Sequence, residues 1–246
     1  MNEMILPIDV QILRLALNVV TARSLENGKS VVDKSILDAF SSLEKNISCH
    51  SSFRSLLTNC CYLHADVKDE KSPKIHLKFC DTTGTRTVYS ETWFLGKEKT
   101  DNFQINDFHH TDFSALKEVA STHITQGVTS LDLLNVVIPF TIADALCDTA
   151  FHEPYLAEHV EAFGARGKTQ VLEFKEKFLG TQKMLEKPAY KLEDPFIVDI
   201  KEKKITLGFE CMIEKYLGKG TDYVYLDDEL KVKKIDVVRH SGRYTD

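Results

Sequence analysis

Residues 148–171 read DTAFHEPYLAEHVEAFGARGKTQV, and the order of elements after them decides the fold. An acidic residue stands directly before a proline (Glu153-Pro154), and an apolar stripe follows at helical spacing. Val171, Phe174, Phe178 and Leu185 share one face between Lys168 and Leu185, flanked by Leu172 and Leu179. Strand patterns come next. Phe196 to Ile200 leads through Lys201–Lys204 into Ile205–Leu217, where Ile205, Leu207, Phe209, Cys211 and Ile213 alternate on one side. Gly218-Lys219-Gly220 predicts a turn into Thr221–Leu226, and Asp227-Asp228-Glu229 a turn into Leu230–His240. A helix followed by a meander predicts an α+β cone, helices folded over a curved antiparallel sheet around one deep hollow.

Working outward, Ser130–Ile138 is apolar and ends at Pro139, after which Thr141 and Asp144 have the spacing of a capping box for a further helix. Residues 96–112 are polar and aperiodic, and a linker is placed at 99–112 between a module at 1–98 and a domain at 113–246. Asp112 is read as the cap of a short helix to Thr122. The N-terminal module begins with a helix over 8–26 that is apolar on most sides, then a second over 30–47 carrying Val32, Ile36, Phe40, Leu43 and Ile47. Phe53–His64 is open between helix and strand. Alternation in Lys74–Phe79 and again in Arg86–Leu95 predicts a β-hairpin, so the module reads as helical with a hairpin, an order compatible with a winged helix.

Composition limits the function. The chain has 246 residues, 43% of them hydrophobic, enough to bury a core, and 31 Lys and Arg against 37 Asp and Glu give a net charge of −6. The cations are scattered, which argues against a nucleic-acid partner. Six cysteines without regular spacing and no leader-like start predict a reduced, intracellular setting, cytoplasmic or nuclear. The longest apolar run, Ile8–Ala22, is broken by Asp9, Gln11, Arg14 and Asn18, so no membrane span is expected.

Residues 141–240 resemble the nuclear transport factor 2-like superfamily, which includes SnoaL-like polyketide cyclases and ketosteroid isomerases. The resemblance lies in Asp148–Pro154, in Gly167 opening a helix, and in Gly220–Asp228 leading to Val232–Val238. It implies that Glu153, immediately before proline, holds the place of a general base, since a carboxylate at the mouth of an apolar cone gains basicity from partial desolvation. His152 and His240 invite the acid–base role that histidines take in the cyclases. The family's two enolate donors fall near Thr129 and Lys219, and neither is the required residue type. Tyr223 and Tyr225 are further residues within reach of the hollow. Phe151, Phe174, Phe178, Phe196, Phe209 and Tyr225 are the expected pocket lining. The resemblance also implies sheets that pair back to back, hence a small apolar ligand and a homodimer or protein partner on the outer face.

Other constellations compete. Ala162–Thr169 satisfies a loose phosphate-loop pattern, with Phe196–Asp199 as its magnesium strand, but Leu156–Glu161 is polar and reads as helical rather than as the buried strand such a loop leaves. His109-His110 with Asp107 and Asp112 is read as a solvated linker rather than a metal site, and Cys60-Cys61 as packed thiols. No Gly-x-Ser-x-Gly elbow occurs. No cofactor or metal is expected. The leading expectation is a non-catalytic small-molecule-binding or protein-assembly module. An isomerase, cyclase or dehydratase using Glu153 is the alternative, and phosphate-loop nucleotide binding the remote third.

Overall fold

The computed structural model describes residues 7–24, 56–81, 86–97, 103–111, 127–183, 190–213 and 216–244. The expected helices at 30–47 and 112–122 lie outside them. The fold is α+β, and the chain divides into two compact units, Gln11–Asp132 and Met1–Val10 with Leu133–Asp246.

In the first unit, strands β1 (Cys60–Asp66), β2 (Lys74–Cys80), β3 (Thr87–Lys97) and β4 (Phe103–His110) form an antiparallel meander. β2 and β3 are the two strands read from alternation. β4 lies inside the expected 99–112 linker. Its sequence hides it, because only Phe103 is buried and the charged and histidine side chains lie half-buried or exposed. β1 likewise settles the described part of the ambiguous 53–64 stretch, where Leu56 and Leu57 are helical and the strand starts at Cys60. Among the described residues a four-stranded meander therefore stands where one hairpin was expected.

Helix α1 (Ile8–Ser24) brings Arg23 to β3, where its guanidinium forms two hydrogen bonds with Glu91, at 3.0 and 2.8 Å. Tyr89 Oη and Trp93 Nε1 donate to the same carboxylate at 2.9 Å each. Against the reduced-thiol expectation, Cys61 and Cys80 form a disulfide between β1 and β2. The pair is remote in sequence, and only strand pairing brings the sulfurs together. Cys60 points elsewhere, and burial pushes its thiol up to about 12.

The second unit is a mixed sheet in the order β8 (Phe196–Asp199), β9 (Lys204–Ile213), β10 (Tyr216–Leu226), β11 (Val232–Tyr244), β5 (Leu156–Ala162), β6 (Ala165–Arg166), with β7 (Tyr190–Leu192) also paired to β9. The expected purely antiparallel sheet is corrected at one seam, because β11 and β5 run parallel. β5 itself was read as helical. Its buried Leu156, Val160 and Ala162 alternate with exposed acids and a histidine, as an edge-region strand does. Gly218-Lys219-Gly220 is not a turn but the interior of β10, with a bulge at Lys219/Gly220. Glycine is needed there because a Cβ on Gly220 would sit 2.8 Å from Phe209 Cζ and from the Val238 carbonyl oxygen.

Helix α2 (Ser130–Ala145) runs through Pro139 without the expected break. A proline inside a helix costs about 3 kcal/mol, but Leu133, Leu134, Val137, Ile138 and Phe140 are all buried around it, and that burial outweighs the lost bond. The true cap is Thr129, whose hydroxyl and amide both donate to Asp132. Thr141 is mid-helix and donates to the Val137 carbonyl. Asp144 is thus carried to the last turn of α2, where the helix dipole disfavours an acid. Helix α3 (Lys168–Lys183) packs on β5, β6 and β9.

Candidate active site

Asp144 is retained at that unfavourable place by two distant side chains. Lys175 Nζ, from α3, lies 2.5 Å from Asp144 Oδ1, and His152 Nε2 lies 3.0 Å from the same oxygen. His152 is fully buried beside Phe140, whose ring stands edge-on at 4.7 Å, and Lys175 is only 3% exposed. The ammonium also lies over the Phe140 and Phe163 rings, at 4.5 and 5.2 Å. His152 Nε2 also lies 3.3 Å from Lys175 Nζ, and its Nδ1 is buried with no partner among the described residues. Burial pushes the Asp144 carboxyl up, but the charges and hydrogen bonds of Lys175 and His152 outweigh it and hold the group at about 2. Asp144 and Lys175 are therefore a buried ion pair at neutral pH.

Asp144 and Lys175 border a cavity of about 490 Å³ whose apolar wall includes Phe163, Phe174, Phe178, Phe209 and Ile235. A second acid, Asp222, enters it from β10. Gly220, Asp222, Val224 and Leu226 alternate on one face of that strand, and Gly220, Val224 and Leu226 are all buried. Asp222 Oδ2 accepts from the Tyr190 hydroxyl at 3.5 Å, while Oδ1 is buried with no partner among the described residues. Burial first, and the negative charge of Asp144 second, push its carboxyl up to about 7, although Lys175 and Tyr190 pull the other way. Burial, then the Asp222 charge, holds Tyr190 well above the ordinary phenol range, so it remains a neutral donor. Burial likewise pushes Cys211, on the cavity wall, up to about 11, which leaves it a thiol at neutral pH.

The proton on Asp222 has a stability signature. The folded protein binds that proton more tightly than the unfolded chain, whose carboxyl titrates near 3.8. Stability contributed by this group is then greatest below about 3.8, falls as pH rises toward about 7, and is level above that. Asp222→Asn is expected to unfold in urea like the parent at pH 4 but to be more stable at pH 8, by on the order of 3 kcal/mol. An equal difference at both pH values would contradict a buried, proton-retaining carboxyl.

Phe174, Phe178 and Phe209 of the expected lining do border the cavity, and the other expected residues lie elsewhere. Phe151 is 59% exposed, Phe196 is buried in the sheet, and Tyr225 faces Lys234 across 5.6 Å. Glu153 sits in a 3-10 turn (Glu153–Tyr155), is largely exposed, and reaches Lys168 at 4.0 Å rather than the cavity. His152 is buried within the Asp144–Lys175 cluster, while His240 is exposed and bonds Thr221 at 2.7 Å. The phosphate-loop reading also fails on geometry. Phe163-Gly164 is the tip of a β5–β6 hairpin, the Gly167 amide donates to the Val160 carbonyl, and Lys168 pairs with Glu158 at 3.4 Å. His109 and Asp107 are exposed, and no group of three or more metal-binding side chains occurs among the described residues. No helix among them is long and apolar enough to cross a membrane.

No family model matches the sequence, and no curated protein matches it. Solved structures do resemble part of it. They include a protein of unknown function with a cystatin-like fold from Methylobium petroleophilum (11% identity, TM-score 0.39, 46% of this chain and 78% of that one). A steroid delta-isomerase from Pseudomonas aeruginosa is similar at 12% identity and TM-score 0.38, over 45% of this chain and 80% of that one. An LEH-like epoxide hydrolase from M. tuberculosis is similar at 12% identity and TM-score 0.34, over 45% and 84%. These neighbours belong to the nuclear transport factor 2-like superfamily. At such identities and scores no substrate or reaction carries over from them.

Proposed function

We propose that the second unit binds a small, largely apolar molecule in the cavity and moves a proton on it with the Asp222 carboxyl. One observation carries the reading: Asp222 Oδ1 is a buried oxygen without a partner among the described residues, on the wall of a cavity that four phenylalanines also line. A buried polar atom left unpaired costs about 1–3 kcal/mol, a cost that a ligand supplying the missing hydrogen bond would offset. Tyr190 fixes the carboxyl through its other oxygen.

A carboxyl that titrates near neutrality is present in both forms there, so it can take a proton from carbon beside a carbonyl and return it elsewhere. Negative charge then develops on the ligand's oxygen. The Lys175 ammonium, a buried cation on the same cavity wall, can stabilise it, and Asp144 and His152 keep it in place. Asp222 is thus the proton-transfer group, Lys175 the electrostatic stabiliser, and Asp144 and His152 positioning residues.

The test is exchange of α-hydrogens. Cyclic and bicyclic ketones incubated with the protein in D2O are expected to incorporate deuterium, seen as loss of the α-proton NMR signals. Asp222→Asn should slow this roughly 100-fold or more while its circular dichroism is unchanged. Equal exchange with the variant, or no exchange above buffer for any ketone, overturns the catalytic reading. A non-catalytic binding domain is the second reading. The exposure of Glu153 favours it over any reaction that uses Glu153 as base.

A further inference from the structure

The charges around the cavity do not cancel at its rim. Lys175 is matched by Asp144, and Asp236 by Lys234 at 2.7 Å. Arg239 is different. It follows Ile235 and Val237 along one face of β11, borders the cavity with them, and is exposed. No ion pair or hydrogen bond engages its guanidinium among the described residues. Besides the paired Asp144–Lys175 and Asp236, the hollow therefore carries the Asp222–Tyr190 pair and an exposed, uncommitted cation, with phenylalanine rings on its wall.

We propose that the ligand is an amphiphilic monoanion, a hydrocarbon or aromatic body bearing one acid group, with that acid group held by Arg239. This rests on the cavity being the ligand site proposed above, and deepens it by naming the substrate class. The planar guanidinium presents paired N–H donors that match the two oxygens of a carboxylate or a sulfonate. Aromatic walls accept the apolar body, and the size of the cavity is within the range of small-molecule sites. A neutral molecule would leave Arg239 simply hydrated, so the preference for an anion is a matter of gain rather than of avoided cost. Because the guanidinium is exposed, water and salt screen it, and the gain is moderate.

Two dyes sharing one skeleton provide the measurement: 1-anilinonaphthalene-8-sulfonate, and the neutral N-phenyl-1-naphthylamine that lacks the sulfonate. In low salt the anionic dye is expected to bind the full-length protein about 5-fold tighter than the neutral one. Arg239→Gln should bring the two affinities within about 2-fold by weakening only the anionic dye. Equal binding of both dyes by the parent, or a preference that survives Arg239→Gln, overturns the anionic ligand class while leaving the cavity as a binding site. Binding of neither dye overturns both the class and the proposed ligand site.

Discussion

Replacing Asp144 with Asn is expected to destabilise the second unit by about 3–5 kcal/mol, because it leaves the Lys175 ammonium buried without its counter-charge. The magnitude follows from an asymmetry. A buried ion pair contributes little net stability once both desolvation costs are counted, whereas one half of it left alone bears its full cost. Cation–π contact with Phe140 and Phe163 recovers only part of that. Adding Lys175→Met should restore most of the loss, since a similarly shaped apolar side chain then fills the place. Urea unfolding followed by far-ultraviolet circular dichroism reads both variants. A single variant within 1 kcal/mol of the parent would show that the ammonium has another means of solvation, and the buried-pair account would have to go.

A loss of similar size is expected in the first unit from Glu91→Gln. That carboxylate accepts from Arg23 through both oxygens and from Tyr89 and Trp93 as well, and it is 2% exposed. The amide keeps some of these bonds but not the charge, so the buried Arg23 guanidinium loses the counter-charge that Glu91 supplies, at about 3–5 kcal/mol. Trp93, the single tryptophan of the chain, is fully buried at this spot and reports the change by fluorescence. Burial pushes the Glu91 carboxyl up, yet Arg23 and the two aromatic donors prevail and hold it below 4.5. An acid with a depressed native pKa contributes stability that is complete above the unfolded value and lost as pH falls through the native one. The gap between parent and Glu91→Gln should therefore be full at pH 7 and shrink in acid below about 4.5. A gap that stays constant down to pH 3 would contradict this sign. Should Glu91→Gln fail to fold, the pair Glu91→Leu with Arg23→Met is expected to fold, and failure of that pair as well would overturn the charge argument.

Both clusters illustrate why parts of the site were invisible in the sequence. Among the described side chains of α3 the buried positions are Val171, Lys175 and Leu179, spaced by four along one stripe. Periodicity puts Val171 on the buried face but Leu179 only on its flank, and it passes over the lysine between them, because a lysine is buried only when a partner is present. That partner lies 31 residues away. Asp144 was legible as a polar residue near a helix, but the wrong end was read. Thr141 and Asp144 imitate the cap of a new helix, and nothing local reveals that buried apolar side chains carry α2 through Pro139. Asp222 had a faint signal in its parity with Val224 and Leu226, blurred by Tyr223 and Tyr225 on the opposite face.

By itself the sequence determined the α+β class, the α3 helix, the β2–β3 hairpin and the β8–β9 hairpin. These depend on alternation and helical spacing, which act over a few residues and are printed directly in the order of side chains. Only the tertiary structure decided that β5 lies parallel to β11, that Gly220 belongs to a strand interior, and that Asp144, His152, Lys175 and Asp222 form one electrostatic group. The reason is the range of the forces. Charge burial is set by whichever partners the folded chain brings within a few ångströms, and no local pattern encodes who they are.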